Sequence, residues 1–182
     1  MRDLIKTGSS AIAPSAFEEK QEEIAHYDVD MVPESTIIYE SCGAIIHTPH
    51  IETLEGKRIN ILSRHQEYIY TYRVEFKDNA ESVRFGMLIK TKSGVELGGA
   101  ATVSCNQPGE DIKAGTIRTI RFRFTCLLLP GTYFLNAGCV GKIGGEETYL
   151  HRIIDACMFK VLPEEGMTAT GIIDFLTKPE VR

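Results

Sequence analysis

The residues of this chain that could do chemistry are best taken by the chemistry they would serve. His47 and His50 flank Thr48-Pro49 a few residues after Cys42. A zinc site needs three or four convergent ligands, and Pro49 bends the chain between the two imidazoles, so solvent-facing histidines at a strand end are the better reading. Glu75, Glu96 and Asp155 would have to pair at about 5–10 Å to cleave a glycosidic bond, and they fall on separate strands. No G-x-S-x-G elbow is present, and no cysteine has an evident histidine partner. A P-loop requires G-x-x-x-x-G-K followed by Ser or Thr, between a strand and a helix. Gly141-Lys142 is the nearest fragment, with Asn136 at the first glycine position and Ile143 after the lysine. The chain is therefore not expected to be an enzyme, nor to hold a metal or another cofactor.

Binding is the chemistry that remains. If segments 67–76, 117–127 and 132–140 lie side by side, their outward residues include Arg73, Glu75, Arg121, Arg123, Phe134 and Asn136, together with Thr71 and Thr125. Arg, Glu and Asn can form paired hydrogen bonds to vicinal hydroxyls, and Phe134 offers a ring to the C–H face of a pyranose. These six are the candidate carbohydrate site. The alternative is an ordinary solvated face in which Arg73, Arg121 and Arg123 pair with Glu75. With no Trp in the chain, a polar site of low affinity is the consistent version.

The elements that must position these side chains are strands. Ile120, Phe122, Phe124 and Cys126 alternate with Thr119, Arg121, Arg123 and Thr125, the period of a half-buried strand. Leu127-Leu128-Leu129 then ends at Pro130-Gly131, which predicts a chain reversal and a hairpin with the alternating segment that follows. In 67–76, Tyr68, Tyr70, Tyr72, Val74 and Phe76 share one side. Continuation of the tyrosine row into Val74 and Phe76 favours the core over a ligand platform, with Tyr68 the one to reach a rim. Strands are predicted over 43–52, 58–63, 67–76, 83–90, 95–104, 117–127, 132–140, 149–161 and 170–176. No long helix interrupts these nine, so the fold class is all-β: an antiparallel, immunoglobulin-like or jelly-roll-like β-sandwich.

Size and charge agree with one domain plus an extension. The chain has 182 residues, 43% of them hydrophobic and 25% charged. Residues 1–41 carry three Lys/Arg against nine Asp/Glu, whereas 42–182 carry 17 against 16. Residues 1–41 read as an acidic leader or linker and 42–182 as the sandwich. Ser15 and Glu18 have the spacing of a capping box for a short helix to about Tyr27, but isolated short helices are marginal and a solvated linker is preferred. The nearly neutral body lacks the basic face that nucleic acid would require. No apolar run reaches the roughly 20 residues needed to span a bilayer. Five widely spaced cysteines, mostly within apolar strand patterns, read as buried small hydrophobes of a reducing compartment.

Several motifs arrive in an order that resembles a known family. They are Phe85-Gly86, then Lys90-Thr91-Lys92-Ser93-Gly94-Val95, then Gly98-Gly99-Ala100-Ala101-Thr102, then Leu129-Pro130-Gly131-Thr132-Tyr133. His151-Arg152-Ile153-Ile154-Asp155-Ala156, Phe159-Lys160-Val161 and Gly171-Ile172-Ile173-Asp174 follow. Over about residues 43–177 the chain is similar to the C-terminal domain of Wzt-type ATPases. The resemblance implies a non-catalytic, cytoplasmic carbohydrate-binding domain that recognises a lipid-linked O-antigen polysaccharide for export by an ABC transporter. It implies a place peripheral to the inner membrane, with the transporter's membrane subunit and the ATPase domain of the parent protein as partners. The alternative is an assembly domain that only holds ATPase subunits together. Because such ATPases work in pairs, a homodimer is expected, with exchange of the C-terminal strand after the Leu162–Gly166 hinge as one route.

Overall fold

The computed structural model describes residues 25–104 and 106–182, among which there is no helix. Eleven strands form: β1 (Ile37–Ile38), β2 (Ala44–Glu52), β3 (Arg58–Ile59), β4 (Ile61–Leu62), β5 (Glu67–Phe76) and β6 (Ala80–Thr91), then β7 (Glu96–Ala101), β8 (Glu110–Ile112), β9 (Ile117–Thr125), β10 (Gly131–Ile143) and β11 (Glu146–Val161). One sheet runs β1-β11-β10-β6-β7, with β4 joining β11 and β8 joining β6. The other runs β3-β2-β5-β9. Among the described residues only the β4–β11 pair is parallel, so the two sheets make the expected antiparallel β-sandwich.

The alternation in the sequence fixes which faces meet. Tyr68, Tyr70, Tyr72, Val74 and Phe76 of β5 are all buried, as are Ile120 and Phe122 of β9. They pack against Tyr133, Leu135, Ala137 and Cys139 of β10 and Phe85 of β6. The tyrosine row is therefore core and not a ligand platform; even the Tyr68 hydroxyl is engaged, donating to Ser63 O at 3.2 Å and accepting from Ser63 N–H at 3.0 Å.

The hairpin predicted across Pro130-Gly131 does not form. β9 lies in the four-stranded sheet and β10 in the seven-stranded one, so the Leu127–Pro130 segment crosses the end of the sandwich. The reason is hydrophobic: Leu128 and Leu129 are buried, which a tight, solvated hairpin turn would forbid. Their backbone is satisfied by the C-terminal segment. Leu129 N–H donates to Ile172 O at 2.8 Å and Asp174 N–H to Leu127 O at 2.7 Å. The strand expected over 170–176 is reduced to this local pairing, centred on an isolated bridge between Leu128 and Ile173. Below it, the buried Arg64 guanidinium donates to Asp174 Oδ2 and, at 3.2 Å, to Glu164 Oε2.

The segment 58–63, expected as one strand, changes sheets at Asn60. β3 pairs with β2 in one sheet and β4 with β11 in the other. Asn60 is buried there; its Nδ2 donates to Asp28 O and its Oδ1 accepts from Asp28 N–H, both at 2.7 Å. That clamp, a bridge between His26 and Ile61, and the pairing of β1 with β11 fasten residues 26–38 along the sandwich. The short helix considered from Ser15 lies outside the described residues apart from its last positions. Cys126 and Cys139 are buried as expected, and burial pushes their thiols up to about 11 and about 12. Cys42 is exposed instead, and Cys105 lies outside the described residues.

Two core groups yield predictions. The fully buried Tyr70 hydroxyl has no hydrogen-bond partner among the described residues. Tyr70→Phe removes that uncompensated group and should leave stability unchanged or raise it by up to about 1 kcal/mol in chemical denaturation. A loss above that range would mean that the hydroxyl is satisfied. His151 on β11 ties the sheets together by accepting the Ile46 N–H on Nδ1 at 2.9 Å. Burial holds its imidazole below the usual histidine range. Unfolded chains therefore take up a proton near pH 6.5 that the folded chain refuses, and this contribution to stability is lost as pH falls below about 6.5. Between about pH 7.5 and 5.5, wild type should lose more stability than His151→Gln; parallel profiles would contradict this.

Candidate functional site

The outward rows of the two sheets present different surfaces. On the four-stranded sheet, Arg73 and Glu75 of β5 lie beside Arg121 and Arg123 of β9, because Thr71 is registered with Arg121 and Arg73 with Thr119. These four expected site residues do share one face. Most of their charge is already matched: Arg121 Nη2 is 2.8 Å from Glu52 Oε1, and Arg123 Nε donates to Glu67 Oε1 at 3.0 Å with Nη2 on the second oxygen. Glu75 pairs with Lys77 and, at 3.3 Å, with His47. Lys77 first, then His47, hold its carboxyl below the usual carboxylate range. Arg73 alone of the four has no ion pair among the described residues. His50 turns aside at a β-bulge, its Nε2 3.6 Å from Glu52 Oε2. Each histidine faces a carboxylate, and no three potential metal ligands gather among the described residues.

Phe134 and Asn136 are not on this face. They belong to β10 and point outward from the opposite sheet, where Phe134 is registered with Lys90 and Met158. At 7% exposure the Phe134 ring is buried among its neighbours and offers no stacking surface. The six residues thus form two groups on opposite sides of the sandwich. The premise that 132–140 runs beside 117–127 fails with the hairpin that it assumed.

Asn136 does line a cavity. A groove of about 240 Å³ crosses the outer face of the seven-stranded sheet, between β7, β6, β10 and the N-terminal half of β11. Its floor is backbone, because Gly86 and Gly138 face each other across β6 and β10. Leu88, Ala101, Val140 and Asn136 line it, and Arg84, Tyr149 and Arg152 stand on its margin. The next strand also comes in close: a Cβ on Gly99 would lie 2.4 Å from Met87 O. From beneath, the Tyr72 hydroxyl of the other sheet meets the carbonyls of both Gly86 (2.9 Å) and Gly138 (3.0 Å). At the end of the groove Asn136 Oδ1 accepts the Asp155 N–H at 2.9 Å. Asp155 sits at a bulge with φ of 51° and is tied to Lys90 Nζ at 2.7 Å and to Ser35 Oγ at 2.6 Å.

The aromatic side of the groove belongs to Arg152. Its guanidinium carbon is 4.9 Å from the ring centroid of Tyr149 and 5.9 Å from that of Tyr39. Both rings are 49% exposed. A flat, accessible floor, half-exposed tyrosines and a stacked donor fork can hold the apolar face of a ring while bonding its hydroxyls. Nothing in this set is arranged as a nucleophile with its base. Sequence reasoning overlooked Gly86, Gly138, Tyr149 and Arg152 as a site, although glycines inside strand patterns are a signal of close approach.

The family model for the Wzt C-terminal domain matches residues 35–175. Among solved structures, the chain is similar to one described as the C-terminal domain of wzt, with a TM-score of 0.71 and 24% identity over 82% of this chain and 90% of that one. This likeness shows the fold. The DNA glycosylase AlkC of Pseudomonas fluorescens (TM-score 0.39, 15% identity, 66% of this chain and 30% of that one) and the sporulation control protein Spo0M of Bacillus subtilis (0.35, 15%, 67% and 50%) are too dissimilar to carry an argument. No curated protein matches.

The floor of the groove can be tested without a ligand. Tyr72→Phe strips the Gly86 and Gly138 carbonyls of their shared donor beneath the floor. It should cost about 1–3 kcal/mol in chemical denaturation. A neutral effect would show that the hydroxyl does not hold the floor.

Proposed function

This chain belongs to the Wzt C-terminal domain family, and from that premise we propose that it is a non-catalytic carbohydrate-binding domain that recognises a lipid-linked O-antigen polysaccharide for export by an ABC transporter. The observation that carries the reading is the groove over Gly86 and Gly138, flanked by Tyr149 and Arg152. A pyranose is a disc with polar edges and an apolar C–H face. Glycine backbone lets such a disc approach the sheet, and exposed tyrosines supply the complementary wet and apolar surface. Each hydrogen bond to a hydrated sugar hydroxyl contributes only about 0.5–1.5 kcal/mol net, so the affinity is modest.

The site within this reading is the groove, with Asn136 its contribution from the sequence-derived set. The face with Arg73, Glu75, Arg121 and Arg123 is the competing location; it is already laced by Glu52, Glu67 and Lys77, which a ligand would have to displace. Residues 42–182 are the binding body and 1–41 an acidic leader, its later part running along β11. In this role the domain works in the cytoplasm beside the inner membrane, in contact with the transporter's membrane subunit and the ATPase domain of the parent protein. Among the described residues no helix is long and apolar enough to cross a membrane.

A second reading, assembly of ATPase subunits without glycan contact, is favoured by one feature. Phe175 and Leu176 are exposed at 83% and 58% just beyond the Leu128–Ile173 bridge. Apolar residues so placed suit a homodimer contact, with exchange of the C-terminal segment one way to make it.

Calorimetric titration with O-polysaccharide released from the lipopolysaccharide of the encoding organism tests these readings. A Cβ on Gly138 would meet only the Tyr149 ring, at 3.7 Å, so Gly138→Val fills the groove and leaves the strand intact. It should weaken binding by about tenfold or more, whereas Arg121→Ala and Arg123→Ala should each change it less than about twofold. The reverse pattern moves the site to the four-stranded sheet, and no binding by the wild type favours assembly.

A further inference from the structure

The charges around the groove carry a conclusion about its ligand. Among the described residues twelve line it, including two arginines and no aspartate or glutamate, in a chain whose formal net charge is −5. Three other cations of the sandwich that are at least partly buried have carboxylate partners. Arg84 Nη2 is 2.8 Å from Glu147 Oε1, Lys90 Nζ is 2.7 Å from Asp155 Oδ1, and Arg64 reaches both Asp174 and Glu164. Arg152 has none: among the described residues no carboxylate lies within ion-pair distance of its guanidinium. Its contacts are the faces of Tyr149 and Tyr39, which hold the fork in place and leave its N–H edge unspent.

We infer that Arg152 is the specificity-determining residue for an anionic unit of the glycan, a sugar carrying a carboxylate or a phosphate ester, bound by the guanidinium fork at the margin of the groove. This rests on the carbohydrate-binding reading above and adds the class of sugar. Both anions match the fork through two parallel N–H···O bonds, and such charge-assisted pairs are roughly twice as strong as bonds to a neutral hydroxyl. A cation stacked on rings beside an apolar, partly enclosed floor is also less screened by water than one on an open face, so an anion there is favoured over a neutral ring. Arg84, neutralised by Glu147, does not compete for the same charge.

The test compares three forms of one probe: the native O-polysaccharide, the same polymer after chemical reduction of its carboxyl groups to alcohols, and the same polymer after removal of phosphate esters. Titrations at low and high salt are run with wild type, Arg152→Gln and Arg152→Lys. The native polymer should bind at least about tenfold more tightly than one of the two neutralised forms, and the form that loses affinity identifies the anion. Added salt should weaken native binding more than binding of that neutralised form. Arg152→Gln should abolish the preference, weakening the native polymer by a larger factor than the neutralised one, and Arg152→Lys should restore it only in part. A merely structural arginine would lower binding of every form alike. If the native polymer binds in the groove but neither neutralisation weakens it, or if Arg152→Gln leaves the preference intact, this inference is overturned and the carbohydrate-binding function stands. If the native polymer does not bind at all, both fall.

Discussion

The Tyr72 hydroxyl crosses the interior of the sandwich from the four-stranded sheet to the carbonyls of Gly86 and Gly138, and the form of the opposite face depends on that reach. A buried phenol without a partner would be costly, and burial already pushes its ionisation well up. Bonding to two backbone carbonyls resolves that cost, because each carbonyl has two lone pairs and can accept the phenol as well as a ladder N–H. Only one hydrogen is available, so the two contacts are shared. They draw β6 and β10 to a common point at which neither residue has a side chain on the outer face. The groove is thus made where core packing and surface shape coincide: an aromatic row buried inside determines where the glycines lie outside. Tyr70, one step along the same row, has no such partner among the described residues, which sets apart the hydroxyl that connects the sheets from one that merely fills volume.

Much of the fold was legible because period-2 patterning reports burial directly. The rows of β5, β9 and β10 face the core as their alternation demands, and their bounds in the sequence lie close to those in the structure. What alternation does not report is which sheet a strand joins. Leu127-Leu128-Leu129-Pro130-Gly131 has the residues of a tight reversal, yet the buried leucines carry the chain over the end of the sandwich into the other sheet. The same blindness hid the change of sheet at Asn60, where a buried amide clamps Asp28. β1 and β8 are two and three residues long, too short to carry any periodicity, and their pairing is decided by long-range contact. The 170–176 segment has strand-like composition but only a local partner in Leu127–Leu129.

The site was legible only in part, for a related reason. The six candidate residues are outward positions of three strands, and all six do face away from the core. Adjacency held for β5 and β9 and failed for β10. Phe134 further shows that an outward position is not an exposed one, since Lys90 and Met158 on the neighbouring strands flank the ring. Arg152 and Tyr149 stood in sequence as ordinary members of a long strand. What distinguishes them is that the first has no ion pair among the described residues and the second a half-exposed ring, and both arise only when β11 is laid against β10 and Tyr39 is brought in by β1. Phe85-Gly86 and Gly98-Gly99-Ala100-Ala101 are pieces of a family pattern in sequence; their physical meaning, a sheet surface with little standing above it, comes from the register of β6 with β7 and β10.

The central claim is that the outer face of the seven-stranded sheet is the glycan surface, and backbone amide chemical-shift mapping during addition of the released O-polysaccharide tests it most directly. The account predicts shifts that saturate at Gly86, Leu88, Asn136, Gly138, Tyr149 and Arg152, while Thr71, Arg73, Arg121 and Arg123 on the far sheet stay still. Saturating shifts confined to the Arg73 and Arg121 face, with the groove unmoved, would contradict it.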